Sequence, residues 1–127
     1  MDNQPVHHTR VLIVDDCLDV RRDLRTFLTL TGGFEIVGEA ANGEEAVSLA
    51  GTSKPDVVLM DLEMPGMDGY QATRQIKASC PPCRVIALTV HAYEKARQEA
   101  ILAGVDAFLV KGASVAMILK TISGGKE

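Results

Sequence analysis

No apolar run in this chain approaches the ~20 residues needed to cross a membrane. The first ten residues, MDNQPVHHTR, lack the apolar centre of a secretion signal. Both absences point to the cytoplasm. Positive charge is not in excess either. The formal net charge is -4, so the chain exerts no bulk electrostatic pull on nucleic acid. Any contact with DNA would need another domain or a partner. Cysteine is scarce and odd in number: Cys17, Cys80 and Cys83. In a chain without a secretion signal that argues against a disulfide framework. Internal repeats, beyond the strand–helix unit itself, and low-complexity tracts are also missing.

What is present suits one domain with a proper core. The chain has 127 residues, 46% hydrophobic and 24% charged, the balance of an ordinary globular protein. Residues 1–9 read as a flexible leader. Within it His7-His8 is too short for a tag and reads as exposed tail rather than a metal site. Residues 10–123 form the domain, and 124–127 read as a tail or the start of a linker.

Short apolar runs alternate with helical periodicity. Arg10–Val14 reads as a buried strand, followed by a helix with Val20, Leu24, Phe27 and Leu28 on one face and Gly32-Gly33 at its end. Glu35–Ala40 is a strand carrying charges, which suits an edge. Asn42 caps a short helix with Ala46, Val47 and Ala50 inward. Val57–Met60 is a wholly apolar strand, and a helix runs on to about Ala78. Arg84–Leu88 is another buried run. Residues 92–103 predict a helix whose inward face is small: Ala92, Ala96, Ala100 and Ala103. Such a face buries little area, so this helix should be weakly held. Asp106–Val110 is the last strand, and Val115, Ile118, Leu119 and Ile122 mark the last helix. Five strands alternating with five helices predict an α/β fold, a doubly wound parallel sheet with helices on both faces.

Four of those strands run directly into polar residues: Asp15-Asp16, Asp61, Thr89 and Lys111. In a parallel sheet all strand C-termini share one edge, which is where ligands bind in open α/β sheets. Taken singly, each has a plain alternative. Asp15, Asp16 or Thr89 could cap a helix, and Lys111 could be a solvated strand end. Asp61 could cap the next helix, though Asp68 is better placed for that. Together they make a coherent set. A few carboxylates suit Mg²⁺, which keeps waters and pairs with phosphate. A hydroxyl and an ammonium donate to phosphoryl oxygens. A carboxylate can itself be the nucleophile and become an aspartyl phosphate.

Those residues resemble a known family, the receiver domain of two-component response regulators. The resemblance covers residues 10 to 123. It rests on Asp15-Asp16, on Asp56-Val57-Val58-Leu59-Met60-Asp61 with Met64-Pro65-Gly66-Met67-Asp68-Gly69, on Thr89 and on Lys111. It implies a flavodoxin-like (βα)5 sheet of strand order 2-1-3-4-5. It implies that Asp61 accepts a phosphoryl group from a sensor histidine kinase or phosphotransfer protein. Asp16, Asp61 and the Glu63 backbone carbonyl would hold Mg²⁺, with Asp15 reaching it through water. Lys111 and Thr89 would bind phosphoryl oxygens, and Thr89 and Phe108 would form the switch. Many members have proline after the lysine, whereas this chain has Gly112-Ala113-Ser114, which looks like the NarL/LuxR-type branch. Members of that branch usually precede a DNA-binding helix-turn-helix domain. The expectation is a receiver cut from such a transcription regulator, with a stand-alone receiver as the alternative. A phosphorylation-dependent homodimer is a further expectation.

Two other readings stand beside this one. A small Mg²⁺-dependent aspartate phosphatase would use Asp61 as nucleophile, but such enzymes place a second aspartate where this chain has Glu63. A redox role for Cys80-Pro81-Pro82-Cys83 lacks the helix N-terminus that would lower a thiol pKa, and with Cys17 a zinc site would lack a fourth ligand. The plain reading of that segment is a stiff loop with two small apolar side chains.

Overall fold

In a computed structural model that describes residues 8–90 and 93–124, five parallel strands line up in the order β2-β1-β3-β4-β5. They are β1 (Thr9–Val14), β2 (Phe34–Ala40), β3 (Val57–Asp61), β4 (Arg84–Thr89) and β5 (Ala107–Val110). The helices between and after them are α1 (Leu18–Thr31), α2 (Gly43–Ser53), α3 (Gly69–Ser79), α4 (Glu94–Ala103) and α5 (Val115–Ile122). The doubly wound topology is the expected one. The proposed beginning of α4 at Ala92 and the inward side chain of Val115 lie outside the described residues, as does most of the leader. None of the described helices is long and apolar enough to cross a membrane.

The pleat explains why the central strands read as unbroken apolar runs. Leu12, Val14, Val58, Met60, Val85 and Ala87 face one core with Ala46, Ala50, Ala72, Ile76 and Ala100 from α2, α3 and α4. Val11, Ile13, Val57, Leu59, Ile86 and Leu88 face the other, with Leu28 of α1 and Ile122 of α5. A strand buried on both faces has no polar alternation to show. The edge strand β2 keeps its charges at the rim.

Local chemistry sets the helix starts. The Asn42 side chain accepts from the Glu45 backbone N–H and the Asp68 side chain from the Gln71 N–H, two of the donors a helix leaves open at its beginning. As expected, α4 touches the core only through alanines: Ala96, Ala100 and Ala103 are buried.

Two glycines let the site loop close. A Cβ on Gly69 would overlap the Asp61 carbonyl oxygen and the Leu62 backbone, and one on Gly43 would overlap Met67. The start of α3 therefore lies directly against the end of β3, with Gly69 N–H donating to the Leu62 carbonyl at 3.2 Å. Gly69→Ala should cost about 2 kcal/mol or more, because the overlap is with backbone that cannot swing aside. Gly51→Ala, on the open face of α2 with nothing within 4 Å, should instead stabilise by about 0.5–1 kcal/mol. Thermal unfolding of the two variants checks the contrast.

Candidate functional site

The site is built at the C-terminal edge of the sheet. Register pairs Val14 of β1 with Met60 of β3, so the next residues on, Asp15 and Asp61, sit side by side. Asp15 is pinned by its own backbone N–H, which donates to the Ala40 carbonyl at 3.0 Å. Its Oδ1 accepts from the Cys17 N–H at 2.9 Å, which turns the chain into α1. Arg21 holds the same turn from the helix, donating to the Asp15 carbonyl at 2.6 Å. Arg21 and Arg25 both pair with Glu39 of β2. The Arg25 bond holds the Glu39 carboxyl below its ordinary range, burial works against it, and Arg21 adds to the lowering.

Asp15 and Asp61 are only 1% and 2% exposed. Lys111, at the end of β5, reaches back to both: its Nζ lies 2.9 Å from Asp15 Oδ2 and 3.4 Å from Asp61 Oδ1. Asp61 Oδ1 also accepts from the Glu63 backbone N–H at 3.1 Å. Asp16 is exposed at the mouth, and one carboxylate oxygen from each of Asp15, Asp16 and Asp61 lies within 4.8 Å of the others. The ammonium approaches Asp15 Oδ2 as an ion pair without hydrogen-bond direction. That oxygen is buried and has no hydrogen-bond partner among the described residues.

The electrostatics follow from burial. Removal from water pushes the Asp61 carboxyl from 3.8 up to about 7, and the neighbouring Asp15 charge pushes the same way. Lys111 and the Glu63 N–H pull it down without cancelling that rise. For Lys111 burial acts to lower the ammonium pKa, but the close ion pair with Asp15 and the charge of Asp61 outweigh it and raise it. The three groups form one cluster short of positive charge.

Thr89 ends β4 and is fully buried. Its Oγ1 donates to the Glu63 carboxylate, 2.8 Å from both oxygens. The sequence pointed to Glu63 only through its backbone carbonyl; the side chain is an added participant. The signal was its place two residues beyond Asp61, but spacing within a loop does not fix where a side chain turns. Phe108 of β5 is half-buried and packs on the α2–α3–α4 side of the sheet, in a cleft shared with Arg97, Ile101 and Val105. After Lys111 the chain turns through Gly112 at φ 94°, a left-handed conformation that glycine adopts at no steric cost.

One expectation is corrected. Cys80 and Cys83 are joined by a disulfide with Cα atoms 5.6 Å apart. An odd cysteine count says nothing about a bridge between two cysteines that a tight turn holds together. Cys17 alone is a free, exposed thiol.

The family model described as "Response regulator receiver domain" matches residues 11–123. This chain belongs to that family. The receiver is 43% identical over 105 residues to the response regulator protein VraR of Staphylococcus aureus, covering 83% of this chain and 50% of VraR. It thus spans about half the length of the curated relatives it matches. It superposes on the signal receiver domain of response regulator NarL from Mycobacterium tuberculosis with a TM-score of 0.85 at 32% identity, covering 93% of this chain and 98% of that one. A LuxR-family DNA-binding response regulator from Staphylococcus aureus gives 0.85 at 30%, covering 91% and 97%. These likenesses support the NarL/LuxR branch. The receiver is a signalling domain of a two-component system.

Folding favours the protonated form of Asp61. The group therefore contributes stability below pH 3.8, and the domain loses it as pH rises toward about 7. In metal-free buffer Asp61→Asn should stabilise the receiver on the order of 1–2 kcal/mol at pH 8. The gain should fade toward pH 4. Chemical denaturation at both pH values measures it; a gain of equal size at both would contradict the account.

Proposed function

We propose that Asp61 is the phosphoacceptor of this receiver and that its phosphorylation switches an output. The observation that carries the reading is the buried Asp61 carboxylate beside Asp15, with the Lys111 ammonium 3.4 Å away. Among the described residues, the Lys111 and Glu63 contacts of Asp61 fall on Oδ1, which leaves Oδ2 as the attacking oxygen. It displaces the imidazole of a phosphohistidine on a sensor histidine kinase or phosphotransfer protein. The P–N bond breaks, an O–P bond forms, and the histidine nitrogen retains the electron pair. The domain assists only its own phosphorylation and dephosphorylation, with no turnover of another substrate. Lys111 supplies fixed positive charge where the phosphoryl oxygens gather.

The donor set also fits a hard divalent cation. It is made of carboxylate oxygens, one of them the buried Asp15 Oδ2, which beyond its ion pair with Lys111 has no hydrogen-bond partner among the described residues. Asp16, Asp61 and the Glu63 carbonyl would hold Mg²⁺, with Asp15 through water. When bound, Mg²⁺ offsets the carboxylate charge that would otherwise repel a phosphoryl donor. Thr89 then leaves Glu63 for the phosphoryl oxygens, and Phe108 turns into the space behind it. The lightly packed face of α4, β5 and α5 reads out the change. By likeness to DNA-binding relatives, the output is transcription regulation through a helix-turn-helix domain, with phosphorylation-dependent pairing of two receivers, in the cytoplasm. Residues 10–123 make up the receiver unit, with 1–9 as leader and 124–127 as tail or linker.

Asp61→Asn should abolish Mg²⁺-dependent labelling by radioactive acetyl phosphate; label that survives in this variant overturns the assignment. Asp16→Ala should weaken Mg²⁺ binding by at least the roughly tenfold that even outer-shell changes cause. Calorimetric titration reads this directly, and unchanged affinity would contradict the metal set. Glu63→Ala removes the Thr89–Glu63 bond and should tighten binding of beryllium trifluoride, a phosphoryl analogue, several-fold. Weaker binding would mean that Glu63 does not hold Thr89 back.

A further inference from the structure

At the opposite edge of the sheet, Cys80-Pro81-Pro82-Cys83 links the end of α3 to β4. We propose that Cys80 and Cys83 are a reversible thiol–disulfide site, reduced by a dithiol, whose state is passed through Lys77 to Asp106 at the base of β5. The proposal is independent of the phosphoacceptor assignment.

The turn is held together whether or not the sulfurs are bonded. Cys83 N–H donates to the Cys80 carbonyl at 3.0 Å, and Cys80 N–H donates back into α3 at the Ile76 carbonyl, 2.7 Å. Two prolines stiffen the segment between them. Lys77 Nζ reaches into the turn and donates to the Pro81 carbonyl at 3.1 Å and the Cys83 carbonyl at 2.8 Å. Two thiols kept within reach by their own backbone can be joined and separated without refolding. As a staple the bridge does little, because closing so short a loop removes little chain entropy.

Position decides the chemistry. Catalytic C-x-x-C pairs open a helix, whose N-terminus stabilises a thiolate. Here Cys80 caps the C-terminus of α3, where the carbonyl ends disfavour negative charge. The pair therefore acts as a substrate of thiol exchange rather than as an oxidoreductase. Cys83 is buried in the core and Cys80 is half-buried, so the reductant's thiolate attacks Cys80 Sγ. The Cys80–Cys83 bond breaks, and Cys83 leaves as a thiolate and takes up a proton. The reductant's second thiol then attacks its own sulfur in the mixed disulfide and releases Cys80 as a thiol. Two electrons and two protons pass to the protein, and the dithiol leaves as its disulfide.

The same ammonium carries the state onward. Lys77 Nζ pairs with Asp106 Oδ2 at 2.9 Å. That oxygen also accepts from the Val85 N–H at 2.8 Å, and the Asp106 N–H returns to the Val85 carbonyl at 2.8 Å. A Cβ on Gly104, just after α4, would touch the Lys77 stem, so α4 also ends against this side chain. Reduction lets the two sulfurs draw apart within the held turn; the Pro81 and Cys83 carbonyls that Lys77 grips shift with them, and so does the start of β5.

The test uses the full chain equilibrated in mixtures of reduced and oxidised dithiothreitol, then trapped with a maleimide in denaturant, so that buried Cys83 is reached, and weighed by mass spectrometry. Cys80 and Cys83 should lose and gain their labels together, while exposed Cys17 is labelled in every mixture. The backbone amide resonances of Val85 and Asp106 should shift in step with that conversion. Lys77→Met should keep the paired conversion but lose the Asp106 shift. Should that variant fail to fold, Asp106→Asn serves in its place and should shrink the Val85 shift. Labelling of both cysteines in every mixture overturns the site. Shifts absent in the wild type, or undiminished in the variant, overturn the route.

Discussion

Two carboxylates shut away from water, side by side, with one ammonium between them: the site depends on this imbalance. Asp15 and Asp61 are each almost wholly buried, and Lys111 neutralises only one unit of their combined charge. A surface pair would be screened and worth little. In this cleft the shortfall is felt in full, and Asp61 answers by holding its proton up to about pH 7. A cluster that recruits a proton in this way also has a place for a metal cation in the proton's stead. It also has a reason to gain from any change that spreads its negative charge over more donors.

The fold supplies that imbalance and a way to register its relief. Parallel strands buried on both faces can end in polar groups only at their termini, and β1, β3, β4 and β5 do so at one edge. Around this rigid sheet the packing is uneven. The α1 and α5 side closes over Leu28 and Ile122, whereas α4 meets the sheet through Ala96, Ala100 and Ala103. Little apolar area holds α4 down, which leaves it weakly held against the sheet. The Thr89–Glu63 bond ties the β4 terminus to the site loop and keeps the hydroxyl occupied meanwhile.

The topology was legible in the sequence because its signals are local. Val57–Met60 has no polar residue to place on a solvent face, and Glu35 and Glu39 mark β2 as an edge. Asp15, Asp61, Thr89 and Lys111 could be grouped because strand ends in a parallel sheet must share an edge. Orientation was not legible. Nothing in the order Asp61-Leu62-Glu63 says that Glu63 turns its carboxylate to Thr89. The Cys80–Cys83 bridge is not legible in a count of cysteines over the chain, because what joins them is a turn fixed by Pro81, Pro82 and the bonds of Lys77. The half-buried position of Phe108 follows from packing between α4 and β5, which no strand pattern records.

The account's central claim is that desolvation beside a like charge governs Asp61. The carboxyl carbon resonance of Asp61, followed by NMR across a pH series in metal-free protein, reads this directly. The account predicts a midpoint near 7, moved sharply downward when Mg²⁺ is added. A midpoint near the ordinary aspartate value of 3.8, unmoved by Mg²⁺, would contradict it.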